Sequence, residues 1–187
     1  MMKRGKTGAG EQAPQRPIRR SVGREELDPF FASVARSHPD RSSIVMLCIG
    51  TDRSTGDAFG PLVGTYLAEQ GWPHVIGTLR EPCDAVRLAA AVAGLPRDKT
   101  VIVFDACVGR PESVGGFLVG PGPLQPAEAV GKQAPPVGDY GAAAVVAKKG
   151  LKPYWNLQSA SLHMVMGMAR DAAEAACRAW PAIVSID

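Results

Sequence analysis

Ser43-Ile44-Val45-Met46-Leu47-Cys48-Ile49, running straight into Gly50-Thr51-Asp52-Arg53-Ser54-Thr55-Gly56-Asp57-Ala58-Phe59-Gly60-Pro61, decides the fold. The first seven residues are a continuous β-compatible run, as expected for a strand covered on both faces. Gly50 to Gly56 reads as a loop. From Asp57 or Gly60 a helix runs to about Gln70, with Phe59, Leu62, Val63, Tyr66 and Leu67 on one stripe. Pro61 fits only its first turn, and Gly71 stops it. The alternation then repeats: His74 to Leu79 reads as a strand, Pro82 to about Ala93 as an Ala-rich helix, and Thr100 to Phe104 as the third main strand. This βαβ order predicts an α/β fold, a three-layer α/β/α sandwich around a mostly parallel sheet.

Upstream, Leu27, Phe30, Phe31 and Val34 recur at helical spacing between Glu25 and about Ser37. Residues 1–22 are rich in Gly, Lys, Arg, Gln and Pro without apolar periodicity and read as a disordered basic tail; residues 23–187 read as one domain. Downstream, Val114 to Val119 is a further strand. Residues 109–138 hold seven Gly and six Pro, so most of that stretch should be a long connection. Tyr140 to Lys148 reads as a strand, with helix ambiguity from its alanines. Asn156 is placed to cap a final helix to about Ala179, apolar nearly all round and therefore well buried.

With 187 residues, 45% of them hydrophobic, the chain can bury a sizeable core, built from aliphatic side chains because aromatics are only 6%. No apolar stretch is long enough to span a membrane, and the N-terminus lacks the apolar segment of a secretory signal. Cys48, Cys83, Cys107 and Cys177 show no metal-ligand spacing and fit reduced thiols of a cytoplasmic protein. The net charge of +3 is uneven. Lys3, Arg4, Lys6, Arg16, Arg19 and Arg20 oppose Glu11 alone, so the tail carries +5 and the remainder −2. The basicity belongs to a solvated leader rather than to a nucleic-acid-binding face.

Two acidic residues follow buried strands, where open α/β sheets place their sites: Asp57 after the Gly50 loop, and Asp105 after Thr100 to Phe104. Taken singly, Asp57 reads as a helix N-cap and Asp105 as a carboxylate bonded to loop amides. Taken together, they can divide general acid and general base work. Two such charges about 4 Å apart repel by roughly 4 kcal/mol at an effective dielectric of about 20, about three pKa units, so one proton would be shared. Thr51, Asp52 and Asp139 are candidates for shaping a cleft, and Arg53 and Lys132 for stabilising a developing oxyanion. Cys107 and His163 read as buried core residues, and His38 and His74 as structural. The G-x-S-x-G, H-E-x-x-H and P-loop patterns are absent from the sequence.

The segments LCIGTDRSTGDAFGPLVG, GTLREP (Gly77 to Pro82), FDACVGRPESVG (Phe104 to Gly115), GPGPLQPAEAVGK (Gly120 to Lys132), PPVGD (Pro135 to Asp139) and Leu157-Gln158 resemble the YyaC sporulation-protein family, found in endospore-forming bacteria and commonly labelled spore proteases. The resemblance covers roughly Ile44 to Ala169. It implies kinship with the spore germination protease and the hydrogenase maturation peptidases, and with their phosphorylase/hydrolase-like α/β/α fold. The germination protease has a similar run at Thr55-Gly56-Asp57-Ala58-Phe59-Gly60-Pro61 and another at Phe104-Asp105-Ala106, and its two essential aspartates fall on Asp57 and Asp105. The hydrogenase peptidases bind metal at those two positions and add a His with no counterpart here. The resemblance therefore implies a metal-free carboxylate pair, with a divalent metal at Asp57 and Asp105 as the alternative. The expected protein is a peptidase-like hydrolase of sporulation, cytoplasmic, acting on a protein or peptide, with no membrane partner. The competing expectation is a non-catalytic regulatory protein that holds a peptide, metal or anion in the same cleft.

Overall fold

The computed structural model describes residues 19–126 and 135–181. Six strands form one sheet in the order β1-β5-β6-β4-β2-β3. Its parallel centre is β2 (Ile44–Cys48), β4 (Thr100–Gly109) and β6 (Tyr140–Lys148), joined by the short β3 (Val75–Ile76) beside β2. β5 (Phe117–Pro121) pairs antiparallel with β6, and β1 (Arg20–Val22) antiparallel with β5. The helices are α1 (Leu27–Ser37), α2 (Phe59–Glu69), α3 (Leu88–Ala93), α4 (Pro153–Gln158) and α5 (Leu162–Ala179).

Strand alternation sends side chains into two cores. Ile44, Met46, Ile102, Phe104, Ala142 and Ala144 join α1, α2 and α5 on one face. Val45, Leu47, Val101, Val103 and Ala143 meet Leu88 of α3, Leu124 and Val137 on the other. This is the expected three-layer sandwich. β2 is buried at all five positions, which explains its unbroken apolar sequence. β6 forms despite its alanines because pairing with β4 and β5 on both edges outweighs their helix preference.

Several expectations need correction. The tail does not extend to residue 22, because Arg20–Val22 is strand β1; residues 1–18 lie outside the described residues. Arg19 anchors that strand by donating to the carbonyls of Gly120, Gly141, Gly122 and Pro123 at 2.7–3.3 Å. The segment expected as one final helix is two: α4 ends at Gln158, and Ser161 caps α5 by accepting from the Met164 amide. Asn156 instead donates its side-chain amide to the Lys148 carbonyl. Nor is α5 apolar all round: Leu162, His163 and Met166 are exposed, so His163 is not a core residue. Within 109–138 the expected strand is β5, beginning at Phe117 rather than Val114, and Leu124 bridges Val137 across the connection; residues 127–134 lie outside the described residues.

Candidate active site

The order β6-β4-β2-β3 places the chain reversal between β2 and β4: β2 leads outward to β3, and the chain then crosses back to β4. Crevices at such switch points, beyond the carboxyl ends of the strands, are where α/β sheets bind ligands. β2 ends at Cys48 opposite Phe104, so Asp105 is the first residue of β4 to project past its neighbour. It lies inside β4, not after it, because that strand runs on to Gly109 beside β6.

Asp57 reaches the same crevice from the β2–α2 loop. Gly50 turns the chain at φ +144°, and a Cβ there would strike the Asp57 carbonyl, which accepts from the Thr51 amide at 3.2 Å. Gly60 lets α2 press on the end of β2, where a Cβ would meet the Ile49 carbonyl. The loop is closed on its outer side by the Gly56 amide donating to the Leu157 carbonyl at 2.9 Å. Asp57 does not cap α2: the cap position is Ala58 and no side-chain cap bond is made. The simplest structural reason for an aspartate at this position is thereby removed.

Both carboxyls are held toward their protonated forms. Burial raises Asp57, and the Ser54 hydroxyl partly opposes the rise. Burial is also the main cause at Asp105; the Ala106 amide donates to Oδ1 at 2.8 Å and pulls the other way, and the charge of Asp57 adds to the rise, leaving Asp105 at about 8. Desolvation, not mutual repulsion, is thus the leading effect. Ser54 is the buried polar residue of the described core, 5% exposed, and its hydroxyl lies near Asp57 without a hydrogen bond of regular geometry.

The other expected site residues divide. Thr51 and Arg53 share the loop, but Arg53 is committed: it donates to Asp84 at 2.7 Å and to the Thr51 hydroxyl at 3.2 Å. Asp52 shares the loop but is exposed. Asp139 belongs elsewhere. Its carboxylate accepts from the Val101 amide at 2.8 Å, and its own amide donates to the Val101 carbonyl at 2.8 Å. That clamp on the start of β4 lies four residues, or about 13 Å, from Asp105. Lys132 lies outside the described residues. Cys107 is half-buried on β4, and burial together with Asp105 pushes its thiol to about 12, which unsuits it as a nucleophile. His38 is structural, between the Thr100 and Tyr140 hydroxyls.

Sequence reasoning gave no separate role to Ser54, Asp84 or Cys83. Asp84 was findable, since an aspartate accepting from the amides two and three residues on is a common turn. Cys83 bridges to Ile49 at the end of β2, and its thiol is raised to about 11 by burial, with the charges of Asp84 and Asp105 adding. Among the described residues no three His, Cys, Asp or Glu side chains converge to hold a metal ion. Asp57 and Asp105 are therefore two carboxylates without a third such side chain beside them among the described residues. No described helix is long and apolar enough to cross a membrane.

Comparison with known proteins adds a family. The family described as "Protein of unknown function (DUF1256)" matches residues 21–175, a span that contains both aspartates and all six strands except Arg20. The chain is similar to "Uncharacterized protein YyaC" of Bacillus subtilis (strain 168), at 45% identity over 136 residues, covering 70% of this chain and 66% of that protein. The chain thus spans just under two thirds of the length of the curated relative it matches. No solved structure matches significantly.

Proposed function

The chain belongs to the DUF1256 family, and from that premise and the geometry of the crevice we propose that it is a peptidase-type hydrolase of sporulation in which Asp57 and Asp105 act on a water molecule. The observation that carries this reading is the pair itself: Asp105 projects past the end of β2 and feels the charge of Asp57 from the adjoining loop, burial pushes Asp105 to about 8, and the Ser54 hydroxyl works against the rise at Asp57. Paired carboxyls in one crevice can serve as acid and base.

In the first step, ionised Asp57 takes a proton from water as its oxygen attacks a peptide carbonyl. Asp105 donates its proton to the developing oxyanion. In the second, the proton held by Asp57 passes to the departing amide nitrogen as the C–N bond breaks, and the carboxylic acid product returns a proton to Asp105. β4 carries Asp105 past the end of β2, and the loop from Gly50 brings Asp57 near enough for its charge to act on Asp105, which supports the pairing.

The motif likeness to the germination protease, at Thr55 to Pro61 and at Phe104 to Ala106, supports the same pair in the same role. A cytoplasmic site of action is part of the same proposal, and four free thiols are compatible with it. The test is purified protein incubated with a peptide library in ¹⁸O-labelled water. Wild type should release fragments with labelled carboxyl termini, and Asp57→Asn and Asp105→Asn should each lower the rate at least a hundredfold. Equal cleavage by wild type and both variants would refute the assignment. A non-catalytic binding protein is the competing reading. Its support is that concavities also occur away from the two aspartates, one beside Tyr66 and Arg170 and one beside Val22 and Glu112. Peptide binding without any labelled fragment would favour it.

A further inference from the structure

Five of the eight large apolar side chains that stand exposed among the described residues fall between positions 151 and 166. Three of them, Leu151, Tyr154 and Trp155, sit on one short segment with Lys148, Lys149 and Lys152, at the carboxyl end of β6 and the start of α4. Leu151 is fully exposed and Trp155 is 64% exposed. Isolated exposed apolar residues are ordinary; a cluster of this kind at a sheet end marks a contact surface.

The segment is held in shape. Asn156 donates to the Lys148 carbonyl at 2.9 Å, the Lys149 amide to the Gly109 carbonyl at 2.6 Å, and the Ser159 hydroxyl to the Trp155 carbonyl at 2.9 Å. Leu157 roots α4 in the core, and its carbonyl holds the loop of Asp57 through Gly56. The apolar surface is therefore displayed by structure next to the crevice. The three lysines are exposed, and none forms an ion pair with a described residue.

We propose that Lys148, Lys149, Leu151, Lys152, Tyr154 and Trp155 form a docking surface for an extended polypeptide segment carrying acidic and apolar side chains, and that this surface holds the substrate of the Asp57–Asp105 crevice. The proposal rests on the hydrolase reading for the second clause only. Charge decides the occupant. Three unpaired cations and two aromatic rings match carboxylates interleaved with apolar side chains. A nucleic acid or an anionic bilayer would also meet the lysines, but a phosphate chain continuing to the crevice would run onto two acidic side chains, Asp57 and Asp105, and onto no described free cation. A polypeptide can keep its acidic side chains on the lysines and bring a neutral backbone to the aspartates. Register gives the spacing. Gly109 pairs with Lys148 four residues beyond Asp105, about 13 Å along the strands, so the docked residues lie about four positions from the scissile bond of an extended chain.

Trp72 and Trp180 are buried, so ligand-induced change in tryptophan emission reports Trp155. The probe is a fluorescein-labelled peptide of alternating Glu and Leu with one Phe, titrated into the full chain carrying Asp105→Asn so that cleavage does not intervene. Binding should raise anisotropy, shift Trp155 emission to the blue and weaken with salt. Trp155→Ala should weaken it about tenfold, as for an interface anchor. Lys149→Glu with Lys152→Glu should weaken it as much and allow a Lys-for-Glu version of the peptide to bind. All these side chains are exposed, so the variants should fold, which circular dichroism checks. Failure of the peptide to bind, or binding indifferent to these variants, overturns the proposal. So does a Trp155 shift produced by phosphatidylserine vesicles, by oligothymidylate or by self-association, but not by the peptide. The two readings fall separately. Peptide binding without turnover by wild type leaves the surface standing and removes the hydrolase; cleavage of the peptide with KM and kcat unmoved by Trp155→Ala does the reverse.

Discussion

Replacing Asp105 by Asn should make this protein more stable, by an amount that grows with pH. In the unfolded chain the carboxyl loses its proton near pH 4; in the folded chain it holds it to about pH 8. Between those values the folded state binds one proton more, so raising the pH favours unfolding. The contribution of Asp105 is therefore intact below about pH 4 and is lost as the pH climbs through 8. One pKa unit corresponds to about 1.4 kcal/mol, so the full displacement would amount to roughly 5 kcal/mol. Asp105 is only half-buried, and water reaching it reduces the effect to about 2–4 kcal/mol. The assay is urea unfolding of wild type and Asp105→Asn at matched ionic strength from pH 5 to 9. The difference between the two proteins isolates this carboxyl from the other titrating groups. It should widen steadily toward pH 8 and then level. In thermal melts the same difference would appear as roughly 5–15 °C at the alkaline end. Asp57→Asn, by removing the like charge, should move the window to lower pH. A stability difference between wild type and Asp105→Asn that stays flat across the range would refute the premise that Asp105 holds its proton more tightly in the folded chain than in the unfolded one.

Other outcomes follow from the same geometry. Gly60→Ala should cost about 1–3 kcal/mol in chemical denaturation, because the new Cβ meets the backbone of Ile49 and one of the two must shift. Asp139→Ala should cost about 1–3 kcal/mol by leaving the Val101 amide unpaired, while leaving the pH window of Asp105 where it is. Cys83 and Cys107, raised to about 11 and 12, should react with a thiol reagent at pH 8 far more slowly than in urea-unfolded protein, as followed by mass spectrometry. Ser54→Ala should raise the Asp57 carboxyl further, seen as an upfield-titrating ¹³C carboxyl resonance with a higher midpoint, and Ser54→Thr should restore it.

The central sheet was legible because β2 and β4 are buried on both faces and their residues say so without help from distant parts of the chain. β6 was legible at its full length, Tyr140 to Lys148, since Gly and Pro punctuate both ends. What stayed hidden depends on long-range partners. Arg20–Val22 has the composition of a tail and becomes a strand only because β5 offers an edge and Arg19 finds four carbonyls. The break between α4 and α5 turns on Ser161 accepting from Met164, a cap that the preceding serine-containing stretch did not distinguish from Asn156. In the crevice, position in sequence singled out Asp57 and Asp105, which lie close enough for the charge of one to act on the other, but Arg53 and Asp139 are held by other partners. Arg53 is neutralised by an aspartate 31 positions away, and Asp139 meets Val101 at the far end of β4. Neither pairing leaves a local trace. The source of the pKa displacement was misjudged for a related reason: charge repulsion can be worked out from residue types, whereas desolvation depends on packing.

Arg19 and β1 have a practical consequence for anyone trimming the chain. β1 is three residues long and covers the outer side of β5, so it does for this sheet what a hem does for cloth. A truncation that begins at Gly23 would discard β1 and with it the cation that gathers the 120–123 turn. It would also bare a row of unpaired amides and carbonyls on β5. Such a shortened protein should precipitate or pair edge to edge, which light scattering against the full chain would show.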